Sequence, residues 1–144
     1  MDKIDGVILT PLKMIYHPKG DIYHAMKKSD DGFAGFGEAY FSTIAQGEIK
    51  GWKKHREMVL NLVVPAGSIR FVIYDDRQGG GTSGMFFETV LSKENYARLT
   101  VPNGVWMAFE GIDEGHSMLL NIASIEHDPS EATNIDLDAI KYAW

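Results

Sequence analysis

Apolar residues along the chain fall in short runs of strand length, each closed by turn-forming residues. GVILTPLKMIY (6–16) gives way to a polar loop that opens with His17-Pro18-Lys19-Gly20. FGEAYFSTIA (36–45), EIKGWKKH (48–55), MVLNLVVP (58–65) and SIRFVIYDD (68–76) come next, and Pro65-Ala66-Gly67 between the last two predicts a hairpin. Past the glycine-rich RQGGGTSG (77–84), read as a flexible hairpin loop, lie MFFETVL (85–91), LTVP (99–102), VWMAFEGI (105–112) and SMLLNIAS (117–124). Short strands at such close spacing predict an all-β sandwich or barrel. Helix is scarce. DIYHAMKKSDD (21–31) has room for one or two turns, and Ser92 can cap a single turn over Lys93 to Ala97.

Strands 58–64 and 71–74 are apolar on both faces, so each needs two covers. One is the barrel interior. The other is either an opposing layer of the same chain or a second subunit that extends the sheet, and the pattern fits both. No linker, low-complexity tract or long repeat divides the chain, which predicts one domain over residues 1–144.

Composition narrows the function. Fifteen glycines and five prolines agree with a turn-rich β protein, and 14 basic against 20 acidic side chains give a formal net charge of −6. That balance argues against a nucleic-acid partner, which proteins usually meet with a basic surface. With no cysteines, the chain has no disulfides, thiolate metal sites or cysteine nucleophiles. The N-terminal MDKIDGVILTPL carries acids and lacks the apolar core of a signal peptide. The uncharged run Leu99–Phe109 is far shorter than the roughly 20 residues a membrane helix needs. A cytoplasmic, soluble protein with no membrane partner is the expectation.

Residues 47–67 carry the most informative spacing. Gly47, five residues, Lys53-x-His55, four residues, Leu60, six residues and Gly67 match the first motif of the cupin superfamily, in which His-x-His and Glu stand between the glycines. Pro102-Asn103-Gly104 followed by Met107 matches the second, where a histidine belongs. Turn residues are retained while Lys, Leu and Met replace three of four metal-binding side chains. A lysine ammonium repels a cation and leucine cannot ligate one, so no metal and no other cofactor is expected.

GEAYFSTIAQGEIKGW, VVPAGSIRFVIYDDR, LTVPNGVW, LLNIASIEHDPSE and DLDAIKYAW together resemble short members of the dTDP-4-dehydrorhamnose 3,5-epimerase family, from about Gly37 onward. The resemblance implies a cupin-type jelly roll, a homodimer and metal-independent action on a nucleotide-linked 4-keto-6-deoxy sugar. Related cupins move the keto group instead. The family's Arg-Gly-x-His segment, whose histidine takes the proton beside the ketone, is here Lys50-Gly51-Trp52-Lys53. The family's general-acid tyrosine sits on a late barrel strand, taken as SMLLN (117–121), which has none.

Alternation along a strand places Lys53 and His55 on one face, inward by the cupin spacing, with Met107 close to Lys53. Lys50, Trp52 and Lys54 then point outward, unless a bulge re-aims Lys50. A buried lysine can lose its proton and act as a base or form a Schiff base with a ketone. An imidazole is the side chain suited to proton transfer near neutral pH, so His55 can be the base while Lys53 stabilises an enolate oxygen. The plain structural alternative has Lys53 in solvent and His55 as a satisfied core histidine.

Lys50, Lys53, Lys54 and Arg56 put four formal positive charges into seven residues, suited to a sugar-nucleotide pyrophosphate. A solvated edge that discourages aggregation would carry the same charges. Arg70 offers a bidentate phosphate contact. Trp52, Tyr74 and Trp106 can stack on a base or sugar, or serve as core or dimer contacts. His17, His24, His116 and His127 lack ligand spacing, and His127-Asp128-Pro129 reads as a turn. Two functions follow: an epimerase or ketoisomerase on a nucleotide keto sugar in surface-polysaccharide synthesis, or a non-catalytic cupin that binds such a sugar. A metal-dependent oxygenase is a weaker third.

Overall fold

In the computed structural model, which describes residues 3–144, the apolar runs form strands that separate into two facing sheets. Met1 and Asp2, at the head of the stretch inspected for a signal peptide, lie outside the described residues. In chain order the strands are β1 (Ile8–Pro11), β2 (Met14–Ile15), β3 (Ile22–Tyr23), β4 (Glu38–Ala45), β5 (Ile49–His55) and β6 (Leu60–Ala66), followed by β7 (Ile69–Tyr74), β8 (Phe86–Leu91), β9 (Ala97–Val101), β10 (Trp106–Gly111), β11 (His116–Ala123) and β12 (Ala132–Asn134). One sheet runs β1-β9-β6-β11-β4 and the other β12-β5-β10-β7-β8, with β2 and β3 forming a separate small hairpin. All ladder pairs are antiparallel, the arrangement of a jelly roll.

Inward residues of both sheets meet in the core: Leu60, Leu62, Leu99, Val101 and Leu119 from one, Ile69, Phe71, Ile73 and Leu91 from the other. Each such side chain contributes about 1.5–3 kcal/mol on full burial. Toward the β4 and β5 edges this filling gives way to the cavity described below.

Three local expectations are corrected. Pro65-Ala66-Gly67 is a corner, not a hairpin, because β6 pairs with β9 and β11 while β7 pairs with β8 and β10. Gly67 makes the corner with φ +80°, and a Cβ there would lie 2.8 Å from the Ser117 backbone. Ser117 closes it, its hydroxyl accepting from the Ser68 amide and donating to the Ser68 carbonyl. No helical turn forms at 21–31 or 93–97. The Ser92 hydroxyl does accept the Asn95 amide, at 3.3 Å, but the chain then enters β9 directly. The 3₁₀ turns are Pro129–Glu131 and Leu137–Ala139 instead.

The second cover of the doubly apolar strands comes from the chain's own segments. Over β9 and β6 lies the 24–33 segment. Buried Arg98 donates to the carbonyls of Ala25 and Asp31 and to Asp30, and Asn61 donates to the Gly32 carbonyl. Over β7 and its neighbours lies the C-terminal tail, where Ile140, Tyr142 and Trp144 pack on Trp52, Val72, Trp106 and Ala108.

RQGGGTSG joins β7 to β8 as a hairpin loop, pinned at its base by Asp75, which is fully buried. The Asp75 carboxylate accepts from the Arg77 amide at 2.9 Å, from the Arg77 guanidinium at 2.9 and 3.0 Å, and from the Thr82 hydroxyl at 2.5 Å. The Arg77 bonds are the largest influence and, with Thr82, outweigh the opposing cost of burial, holding the carboxyl at about 2 against an ordinary 3.8. Its folded value lies below its unfolded one, so this stabilisation is complete above the ordinary value and fades as pH falls toward 2. Denaturant unfolding should show wild type losing about 2 kcal/mol more than Asp75→Asn between about pH 5 and about pH 2. Equal losses in the two proteins would contradict the assignment.

Candidate active site

Strand β5 has to serve a wet inner face and a dry outer one, and a register shift lets it do so. Met107 of β10 pairs with Lys53 and Phe109 with Lys50, so two steps along β10 match three along β5. The extra residue, at Gly51-Trp52, is a bulge that turns Lys50 to the same side as Lys53 and His55. All three line a cavity of about 450 Å³. Tyr40 and Ser42 of β4, Leu60 and Leu62 of β6, Met107 and Phe109 of β10, Leu119 and Asn121 of β11 and Asn134 of β12 complete the wall.

The cavity has an apolar floor and a cationic side. Leu60, Leu62, Leu119, Met107 and Phe109 form the floor, while among the described lining residues none is a carboxylate. In a chain of net charge −6 this is a local reversal of sign suited to an anionic ligand. Lys50 donates from Nζ to Ser42 Oγ at 3.1 Å and to the Thr43 carbonyl at 2.8 Å, which ties β5 to β4. Lys53, flanked across the sheet by Met107 and Asn134, is exposed at the cavity and not buried as the apolar neighbour had suggested, and it has no ion-pair partner among the described residues. The four positions that match the cupin metal set, Lys53, His55, Leu60 and Met107, do converge here. One imidazole beside an ammonium, a leucine and a thioether is a poor donor set for a divalent ion.

His55 is held from behind. Its Nδ1 faces Glu131 Oε1 in a short hydrogen bond, and Glu131 is 2% exposed. Glu131 Oε2 accepts the amides of Glu57 and Met58 at 3.1 and 3.2 Å. Burial alone would raise this carboxyl, but the bonds from His55 and the two amides outweigh it and leave its pKa below the ordinary value. A carboxylate on Nδ1 fixes the tautomer that leaves Nε2 free to accept a proton, and so selects the nitrogen available for chemistry. On the opposite wall Asn121 donates to the Tyr40 hydroxyl at 2.9 Å.

Other residues singled out from the sequence lie away from the cavity. Trp52 is fully buried on the back of β5, donating from Nε1 to the Leu137 carbonyl at 3.0 Å and meeting Trp144 at a centroid distance of 6.0 Å. Trp106 shares that face and donates to Asp76, which also takes Lys54 at 2.5 Å. Tyr74 stacks on Phe86, and Arg70 pairs with Glu110 and Glu88 on the same outer surface. Arg56 reaches the Ser130 carbonyl at 3.0 Å, outside the cavity lining. All four predicted aromatic or arginine contacts at positions 52, 70, 74 and 106 are thus placed by strand parity on the side of the sheet away from the cavity.

Glu131, Tyr40, Asn121 and Asn134 escaped the sequence reading. For Glu131 a local signal exists. Asp128-Pro129-Ser130-Glu131 is a cap followed three residues later by Glu, and Asp128 does accept the Ser130 amide at 3.0 Å. Nothing local says that this turn closes on a strand 76 residues away.

A two-sheet jelly roll with a cationic, apolar-floored cavity defines a cupin-type small-molecule site. No family model matches the chain. A dTDP sugar isomerase from Desulfovibrio desulfuricans G20 superposes with a TM-score of 0.91 at 31% identity, over 94% of this chain and 87% of that one. A dTDP-4-dehydrorhamnose 3,5-epimerase from Sulfolobus tokodaii superposes at 0.86 and 22% identity, over 99% and 84%. In Haloferax volcanii the protein named "Probable low-salt glycan biosynthesis epimerase Agl13" is 30% identical over 91 residues, which cover 62% of this chain and 58% of that protein. The chain belongs to the dTDP-sugar isomerase and epimerase family.

Replacing Glu131 by Gln should lower unfolding free energy by about 1–3 kcal/mol, because one buried donor or acceptor loses its match. Nitrogen NMR should show the His55 tautomer released from its Nδ1–H form. An unchanged tautomer would mean that Glu131 does not orient the ring.

Proposed function

We propose that the protein is an epimerase or ketoisomerase acting on a nucleotide-linked 4-keto-6-deoxy sugar in surface-polysaccharide biosynthesis. Carrying this reading is the convergence of Lys50, Lys53 and the Glu131-backed His55 on one cavity. The names of the similar proteins support it. A ketone acidifies the carbons beside it, and the first step removes a proton from one of them. His55 Nε2 is the base. Glu131 orients the ring and stabilises the imidazolium that forms, as a buried carboxylate does behind a catalytic histidine. Lys53 is the electrophile that draws electrons toward the ketone oxygen, and Lys50 adds positive charge for the diphosphate. Tyr40, on the wall supplied by the other sheet, returns a proton from its hydroxyl.

The functional unit is one cupin domain over residues 1–144, working as a cytoplasmic homodimer. Supporting the dimer are apolar side chains left on the surface: Met14, Ile15, Tyr16 and Ile22 at the small hairpin, with Phe36 and Phe41 at the β4 edge. Among the described residues no helix is long and apolar enough to cross a membrane.

Incubation with dTDP-linked keto sugars in deuterium oxide tests the reaction. Deuterium should enter a carbon beside the ketone, and His55→Asn should slow this by about 10²–10⁴-fold. Saturating ligand at 100 times its dissociation constant should add about 2.7 kcal/mol to stability. Stabilisation without exchange would leave a binding protein in place of an enzyme. Tyr40→Phe should reduce exchange about 100-fold, with little change in ligand stabilisation.

A further inference from the structure

Three lysines of β5 have different fates. The Lys50 amine is engaged by Ser42 and Thr43, and the Lys54 amine lies on the back face against Asp76 and over the Trp106 ring at 4.7 Å. Lys53 alone of the three has neither a hydrogen-bond nor an ion-pair partner among the described residues, and it lines the cavity. Its strand neighbour on the same face is His55, whose Nε2 is left open by Glu131. Lys53 is exposed, so its unpartnered amine is open to a ketone that enters the cavity, and a primary amine is the side-chain group that condenses with ketones.

We propose that Lys53 is a Schiff-base nucleophile, forming a covalent imine with the ketone of the sugar. The inference rests on the nucleotide-sugar reading above and replaces a through-space role for Lys53 by a covalent one. His55 first takes a proton from the Lys53 ammonium. The neutral nitrogen attacks the ketone carbon, a C–N bond forms, and the carbonyl oxygen takes the proton back to give a carbinolamine. Loss of the hydroxyl as water breaks the C–O bond and leaves an iminium. His55 then removes the proton from the adjacent carbon, and the electron pair moves to nitrogen as an enamine. Reprotonation of that carbon from the other wall inverts it, and addition of water returns the ketone and the free amine. No oxidant or reductant is consumed.

This chemistry restricts the reaction. An enamine formed toward a hydroxyl-bearing neighbour can rearrange to an amino ketone, which would leave Lys53 alkylated and the protein dead. Turnover therefore runs toward the neighbouring carbon that carries the ring oxygen, and the ketone stays where it is.

The test uses dTDP-linked 4-keto-6-deoxyglucose with the full chain, in deuterium oxide, in oxygen-18 water, and with cyanoborohydride. The expected result is a reduced sugar-nucleotide adduct on the peptide containing Lys53, together with oxygen-18 entry into the ketone faster than without protein. Both should be lost in Lys53→Arg, which keeps the charge but cannot form the imine, and thermal melting should show that variant folded. Deuterium exchange with neither adduct nor accelerated oxygen exchange would overturn the Schiff base and leave the nucleotide-sugar reading standing. Migration of the ketone by an unmodified protein would also overturn it. No exchange, adduct or ligand stabilisation would sink both.

Discussion

Everything at the candidate site depends on the bulge in β5. A regular strand would send Lys50 to the back with Trp52 and Lys54, leaving Lys53 and His55 without a second lysine. One additional residue opposite Ala108 changes the parity below Trp52. Its cost is a disrupted ladder at one step. What offsets that cost is Trp52 itself, fully buried against the C-terminal tail and hydrogen-bonded to it, so the bulged strand is clamped from the dry side.

The C-terminal segment therefore does more than cover a hydrophobic face. It contributes Glu131 behind His55, Asn134 beside Lys53, and the Leu137, Ile140 and Trp144 surface that holds Trp52. Glu131 holds the His55 ring and the tail clamps Trp52, and preorganisation of this kind is what electrostatic catalysis requires. Tyr142, whose hydroxyl donates to Glu88, is pushed up to about 12 by burial first and by that carboxylate second, so the tail stays neutral there across the ordinary pH range. Charge is thus partitioned: carboxylates gather on the outer surface of the sheet, at Asp76, Glu88 and Glu110, while the cavity keeps its cations.

Much of this was readable in the chain, and the failures follow a rule. Placements that follow from local pattern were read well: the strand runs, and the shared inward face of Lys53 and His55, which strand alternation supplies. Residues whose role depends on a partner far along the chain were not. Pro65-Ala66-Gly67 looked like a hairpin because two strands flank it, yet only the pairing of β6 and β7 with other strands shows it to be a corner. Trp52, Trp106 and Tyr74 looked like stacking surfaces because an aromatic ring suits a sugar or a core equally well.

The sequence by itself determined the β architecture, the family and the removal of most metal donors, because these follow from periodicity, turn chemistry and residue type. Only the tertiary structure decided that Lys50 joins the cavity, that Arg70 faces away from it, and that a carboxylate stands behind His55. The reason is that strand parity beyond a bulge and contacts across 76 residues are set by packing between sheets, for which a one-dimensional pattern has no coordinate.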